Sequence, residues 1–138
     1  MIQEEKDLLL KDLCARLPYR VKCLVNYTFC NETTDYEDVK ASTVDTITTI
    51  NQETESYCFE RLSEWFDVDE FKPYLFPLSS MTEEQTEELI KLINTGQNDN
   101  NEFMRSLCRI EFYHKNHIDY RGLIPKGLAI DATGLNIY

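Results

Sequence analysis

Four side chains that could bind a metal fall in one short stretch: Cys108, Glu111, His114 and His117. Three-residue steps stay roughly on one face of a helix, so on spacing alone the four form a possible quartet of sulfur, oxygen and nitrogen ligands. Zinc helices more often pair histidines four apart, and no second ligand cluster stands elsewhere in the chain. The competing reading is a helix end, with the histidines near the negative pole of its dipole and Cys108 in the core. The expectation is therefore no metal and no cofactor.

Nucleophilic catalysis needs a Ser or Cys beside a base and an orienting acid. All three residue types occur, but no nucleophile sits in a G-x-S-x-G turn. Neither G-x-x-x-x-G-K nor G-x-G-x-x-G is present, so nucleotide-binding folds have no support. An enzyme is the less favoured class, and no catalytic residue is assigned. The segment Asp119-Tyr120-Arg121-Gly122, followed by Pro125-Lys126-Gly127, is the densest polar element. Arg121 and Lys126 could grip an acidic group beside Tyr120, or the glycines could simply permit two turns with Asp119 capping one.

The charge is uneven along the chain. The whole carries a net −11 over 138 residues, from 14 Lys and Arg against 25 Asp and Glu. Residues 41–102 hold fourteen acids and three bases, whereas residues 103–138 hold three acids and five bases. Such a field attracts cationic partners and repels nucleic acid. Within that acidic middle, Tyr57, Phe59, Trp65, Phe66, Phe71, Tyr74 and Phe76 interleave with Glu60, Glu64, Asp67, Asp69 and Glu70. One reading makes the rings core and the acids solvent face. The other makes a docking surface in which Trp65 and Phe66 anchor a partner that Asp67, Asp69 and Glu70 steer.

These residues need elements to hold them. Leu9, Leu13 and Leu17 recur every fourth residue and predict a helix over 3–17, closed by Pro18, with Lys6, Lys11, Asp12 and Arg16 mostly on other faces. Alternation over Tyr19–Thr28 predicts a strand. A second is expected over Ser42–Asn51, with Val44 and Ile50 on one face and Ile47 on the other. Asn31–Asp38 reads as a turn. Tyr57–Phe66 suits either period and is read as a strand, followed by a short helix near Val68–Leu75. Thr82 with Gln85 forms a capping-box signature for a helix over 82–95 that stops near Gly96. Asp99 with Glu102 suggests another cap, for a helix over 102–116. The tail from Asp119 is glycine-punctuated yet apolar, and is expected to pack on the body. The predicted class is α+β in a single domain: a small antiparallel sheet covered by about three helices.

Two stretches carry a resemblance: Phe71–Glu84, containing K-P-Y-L-F-P-L-S-S-M-T, and His117–Asp131, containing D-Y-R-G-L-I-P-K-G-L-A. With Leu8–Tyr19 they resemble a set of small uncharacterised proteins from gut bacteria, their phages and mobile elements. Phe76 and Pro125 stand where that pattern has an arginine and an acid. The resemblance implies family membership and no established activity, so no functional residue is carried over.

No run of about 18 apolar residues could span a bilayer. The start of the chain lacks the basic and apolar regions of a secretory signal, so a cytoplasmic location is expected. The five cysteines are odd in number and lack C-x-x-C spacing, which suits reduced thiols. The favoured function is a non-catalytic protein that binds another protein with a basic face. One concrete version is a phage or mobile-element inhibitor that sets carboxylates where phosphates would sit. A small-ligand or metal protein using Cys108–His117 and Arg121–Lys126 is the alternative, and an oligomeric structural component is the second. Direct nucleic-acid or membrane binding is not expected.

Overall fold

A computed structural model describes residues 1–31, 33, 37–95 and 102–138. The order is α1 (Gln3–Arg16), β1 (Lys22–Asn31), β2 (Glu37–Asn51), β3 (Ser56–Phe59), β4 (Trp65–Phe66), β5 (Phe71–Pro77), α2 (Glu83–Thr95), α3 (Glu102–Lys115), β6 (Ile118–Asp119) and β7 (Ile130–Asp131). The fold class is α+β. The strands run in the order β4-β3-β2-β1-β5-β6, with β7 also on β5. The sheet is mixed rather than antiparallel throughout. β5 lies antiparallel to β1 but parallel to both β6 and β7, because the chain returns to it through the helices and the tail.

Pro18 ends α1 in a single 3-10 turn over Leu17–Tyr19, and Arg20 takes a left-handed backbone at φ 56°. The first strand therefore starts at Lys22 rather than Tyr19, and its alternation buries Val21, Cys23 and Val25. β2 begins earlier than expected, at Glu37, by pairing residue for residue with β1. Of the turn expected over Asn31–Asp38, residues 32 and 34–36 lie outside the described residues, as do Gly96 and Asp99. Ile47 and Ile50 both reach the main core, although three residues apart in one strand. A register shift between Ile47 and Thr49 inserts an extra residue and reverses the facing, so the predicted separation of Ile47 from Ile50 does not hold.

The short helix expected near Val68–Leu75 shrinks to one 3-10 turn at Val68–Glu70, and Phe71–Pro77 is a strand. Pro73 and Pro77 push Lys72 and Phe76 to extended backbone, which favours strand over helix. Phe71 then meets Tyr57 and Phe59 edge-on, at 4.8 and 5.2 Å between ring centres. The main core joins these rings to Leu9 and Leu13 of α1 and to Leu123 and Leu128 of the tail. The tail is packed down as its apolar content predicts, with Ala132 N–H donating to the Leu75 carbonyl. A smaller cluster of Leu89, Phe112 and Ile118 joins α2 and α3 to the sheet. The α2 start is a capping box: Gln85 N–H donates to Thr82 Oγ1 at 3.1 Å, and Thr82 N–H to Gln85 Oε1 at 3.0 Å.

Candidate functional site

The acidic-aromatic segment forms one end of the sheet. Phe66 pairs with Tyr57 and Trp65 with Cys58 across β3–β4, so successive side chains point to opposite faces. Phe66 turns inward against Phe59, ring centres 5.6 Å apart, and is buried. It is a core residue and not the exposed anchor expected of it. Trp65 turns outward and is 54% exposed. Asp67 is extended, Val68 buries, and Asp69 and Glu70 face solvent. Outward Trp65, Asp67, Asp69 and Glu70 thus surround the inward Phe66 and Val68.

The approach to this edge is held by a buried carboxylate. Asp45, on β2, accepts from the N–H groups of Arg61 and Leu62 at 2.9 and 3.1 Å and from Thr46 N–H at 2.8 Å. The Arg61 guanidinium also donates to the Val44 carbonyl. Glu60 is taken by Arg20 through both carboxylate oxygens at 3.0 Å. Asp69 has Lys6 Nζ at 3.7 Å, with both side chains open to solvent, which makes a weak pair. Between β1 and the segment that leads into β4 runs a groove of about 160 Å³, lined by Tyr27, Phe29, Arg61, Leu62, Glu64 and Phe66 among others, but not by Trp65. Phe29 is 44% exposed at its wall. Glu70 accepts from the Asp67 N–H at 2.7 Å. The surface combines aromatic faces with exposed carboxylates, the chemistry that receives an ammonium or guanidinium.

The Arg121–Lys126 element does not form a single anion grip. Arg121 folds inward, its Nε 3.1 Å from Asp12 Oδ1 but out of line for a hydrogen bond. Lys126 stays exposed and lines a separate surface groove with Glu5 and Asp69. Asp119 is buried and caps the turn below, accepting from Leu123 and Ile124 N–H at 2.9 and 2.8 Å. Gly122 and Gly127, both at φ 73°, supply the left-handed turns.

Arg121 instead belongs to a buried polar junction. Asp12 and Arg16, one helical turn apart, are wholly buried and bonded at 2.7 Å. Arg16 also donates to the carbonyls of Ile118 at 2.7 Å and Tyr113 at 3.4 Å. The Tyr120 ring centre lies 5.4 Å from the Arg16 guanidinium and 5.0 Å from that of Arg121, and the ring stacks on Tyr113 at 5.5 Å. His114 Nε2 meets the Tyr120 hydroxyl at 2.9 Å. Burial, then the Arg16 charge, push the His114 pKa down. Sequence reading placed Asp12 and Arg16 off the buried face of α1. Their i, i+4 spacing with opposite charge was the available signal.

The four metal candidates point apart. Cys108 and Glu111 line the cleft between α2 and α3. His114 faces Tyr120, while His117 stacks on Tyr138 at 3.7 Å. Among the described residues no group of three or more His, Cys, Asp or Glu side chains is placed to hold a metal ion. All five cysteines are free thiols, and burial raises the Cys23 pKa strongly. Among the described residues no helix is long and apolar enough to cross a membrane. No family model, curated protein or solved structure matches the chain.

Proposed function

We propose that the protein is a non-catalytic binding protein whose β4 edge receives a basic segment of another protein. One observation carries this reading. Of the aromatic residues between Tyr57 and Phe76, Trp65 alone is substantially exposed, and it stands near the exposed carboxylates of Glu64, Asp67 and Glu70, the last of which accepts from the Asp67 N–H at 2.7 Å. Phe76 is half-buried against Tyr138 and the other large rings of the segment are buried, so the docking surface is narrower than the sequence suggested. A half-exposed tryptophan supplies apolar contact area at little entropic cost, and surrounding carboxylates steer and orient a cation. The adjoining groove offers the Tyr27 and Phe29 faces to a lysine or arginine stem.

The resemblance to proteins of phages and mobile elements favours a host protein as the partner, with carboxylates occupying a surface that otherwise meets phosphate. Trp65 is the single tryptophan of the chain, so its fluorescence reports on the site directly. Titration with a peptide of alternating lysine and aromatic residues should shift Trp65 emission at low salt. Raising ionic strength to about 0.5 M should weaken binding severalfold, because exposed charge pairs are screened. Glu64→Lys together with Asp67→Lys should abolish the shift. Emission that responds equally to an acidic peptide of the same length would refute the reading.

A further inference from the structure

We propose that residues 133–138 form an acid-released strap, latched by the Tyr138 hydroxyl between β1 and β5 and governed by the His117 ring stacked on it. The β1–β5 ladder stops at Cys23 opposite Pro73. The next pair of that register is Lys22 with Tyr74, and there the phenol of Tyr138 comes between the strands. Its hydroxyl accepts from Lys22 N–H at 3.0 Å and donates to the Tyr74 carbonyl at 2.8 Å. One side chain thus satisfies a donor and an acceptor that the ladder leaves over. His117 lies flat on the same ring, centres 3.7 Å apart and planes 12° from parallel, and Phe76 is tilted on it at 5.9 Å. Lys22 Nζ adds a bond to the Ile137 carbonyl at 2.8 Å.

Upstream of Ile137 the tail has no comparable hold. Thr133 to Asn136 are exposed, Leu135 by 50%. The hydrogen bonds here are local: Thr133 N–H donates to Asp131 Oδ1, and Leu135 N–H to the Ala132 carbonyl. Thr133 and Gly134 border a cleft of about 170 Å³ together with Phe76, Ser80, Thr82 and Gln85, so this stretch lies over open space. It runs from Ala132, whose N–H is anchored on Leu75, to one inserted side chain. A segment tied at two points with exposed backbone between them opens before the rest of the fold.

Acid acts at His117. Its Nδ1 is buried and has no hydrogen-bond partner, so a proton added there finds no acceptor while the strap is shut. The charges that bear on the ring are both positive, Arg16 of α1 and Lys22 of β1. The Tyr138 phenol beside it is held neutral by burial. His114 of α3 faces Tyr120, and Asp119 of β6 is turned to the Leu123 and Ile124 N–H groups. Burial, then the two cations, lower the His117 pKa from 6.5 to about 4. Lifting the strap lets water reach the ring and restores its ordinary basicity. The shut form is therefore fully favoured above pH 6.5 and loses ground as pH falls towards 4.

Amide hydrogen exchange at Lys22 tests this, expressed as a protection factor so that the pH dependence of the intrinsic rate cancels. Val25, paired with Thr43 on one side and Phe71 on the other, reports opening of the whole domain. Lys22 should be about 100-fold less protected than Val25 at pH 7.5. Its protection should fall about tenfold more between pH 7.5 and pH 5. Tyr138→Phe keeps the ring and removes the hydroxyl. It should strip most of the Lys22 protection and leave the far stronger protection of Val25 largely in place. In His117→Asn the Lys22 protection should no longer change over this pH range. Lys22 exchanging as slowly as Val25 overturns the proposal, because the strap then opens only with the whole fold. So does Lys22 protection that survives Tyr138→Phe, or a pH response that survives His117→Asn.

Discussion

The two helical regions of this molecule invert the usual arrangement. α1 has almost no amphipathic bias, yet it is the most deeply seated helix and buries Asp12 and Arg16 completely. α2 and α3 are strongly amphipathic, yet much of their apolar surface faces outward. Apolar periodicity shows that a helix has two unlike sides. It does not show which side the rest of the chain will cover. α1 is held by Leu9 and Leu13 in the main core, by the Asp12–Arg16 pair, and by Arg16 donating to carbonyls 97 and 102 residues away. The α2–α3 hairpin meets the sheet at Leu89 and Phe112, and its α3 end is also tied by the Arg16–Tyr113 and His114–Tyr120 contacts.

The largest effect should come from breaking the buried junction. Arg16→Met leaves Asp12 with only the misaligned Arg121, and strips donors from two carbonyls. A loss of about 3–5 kcal/mol is expected by urea denaturation, enough to unfold much of a marginal domain. Replacing Asp12 and Arg16 together by leucines should cost less than Arg16→Met alone, since no buried charge is orphaned at that pair. Equal or greater loss in the double variant would mean that shape, not charge, holds α1.

A second effect follows pH at the same end of the molecule. Burial, then the Arg16 and Lys22 charges, lower the His117 pKa from 6.5 to about 4. Its ring lies against Tyr138, whose own pKa is raised chiefly by burial and whose hydroxyl bridges Lys22 N–H and the Tyr74 carbonyl. The unfolded chain takes up the His117 proton first as pH falls. The contribution is therefore full above pH 6.5 and is lost on the way down to about 4. After allowance for solvent at the ring the loss is about 2 kcal/mol. His117→Asn keeps a residue that tolerates the left-handed backbone at φ 56°. It should flatten this part of the profile relative to wild type in denaturation at pH 7 and pH 4.5.

Much of the framework was legible because it rests on local rules. The three helices, the Thr82–Gln85 cap and the β1 alternation need only neighbouring residues. The β5 strand was missed because its neighbours β1, β6 and β7 lie far away in sequence. The Ile47–Ile50 facing was missed because a register shift is a property of a pair of strands. At the candidate site, sequence identified the acidic-aromatic segment but could not separate Trp65 from Phe66. Their difference is one step of strand pairing. The fate of Arg121 was hidden for the same reason, since its counter-charge Asp12 lies in the first helix.

The hairpin should yield the smaller stability changes. Thr82→Ala removes one half of the capping box and should cost about 1 kcal/mol, read by thermal melting. Leu107→Glu should change the stability of the isolated chain by no more than about 0.5 kcal/mol, because an exposed substitution there removes little packing. A loss of several kcal/mol at Leu107 would mean that the outer stripe is already covered within one chain, and the contrast between the two regions would collapse.

The sheet itself ends on both sides in strands only two residues long, β4 and β6. Beyond Val25 the β1–β2 ribbon runs without β5 alongside, but there it carries Glu37, Asp38 and Lys40. Short or charged borders of this kind give a passing strand little to copy. Thioflavin-positive fibrils should therefore not grow from the folded protein.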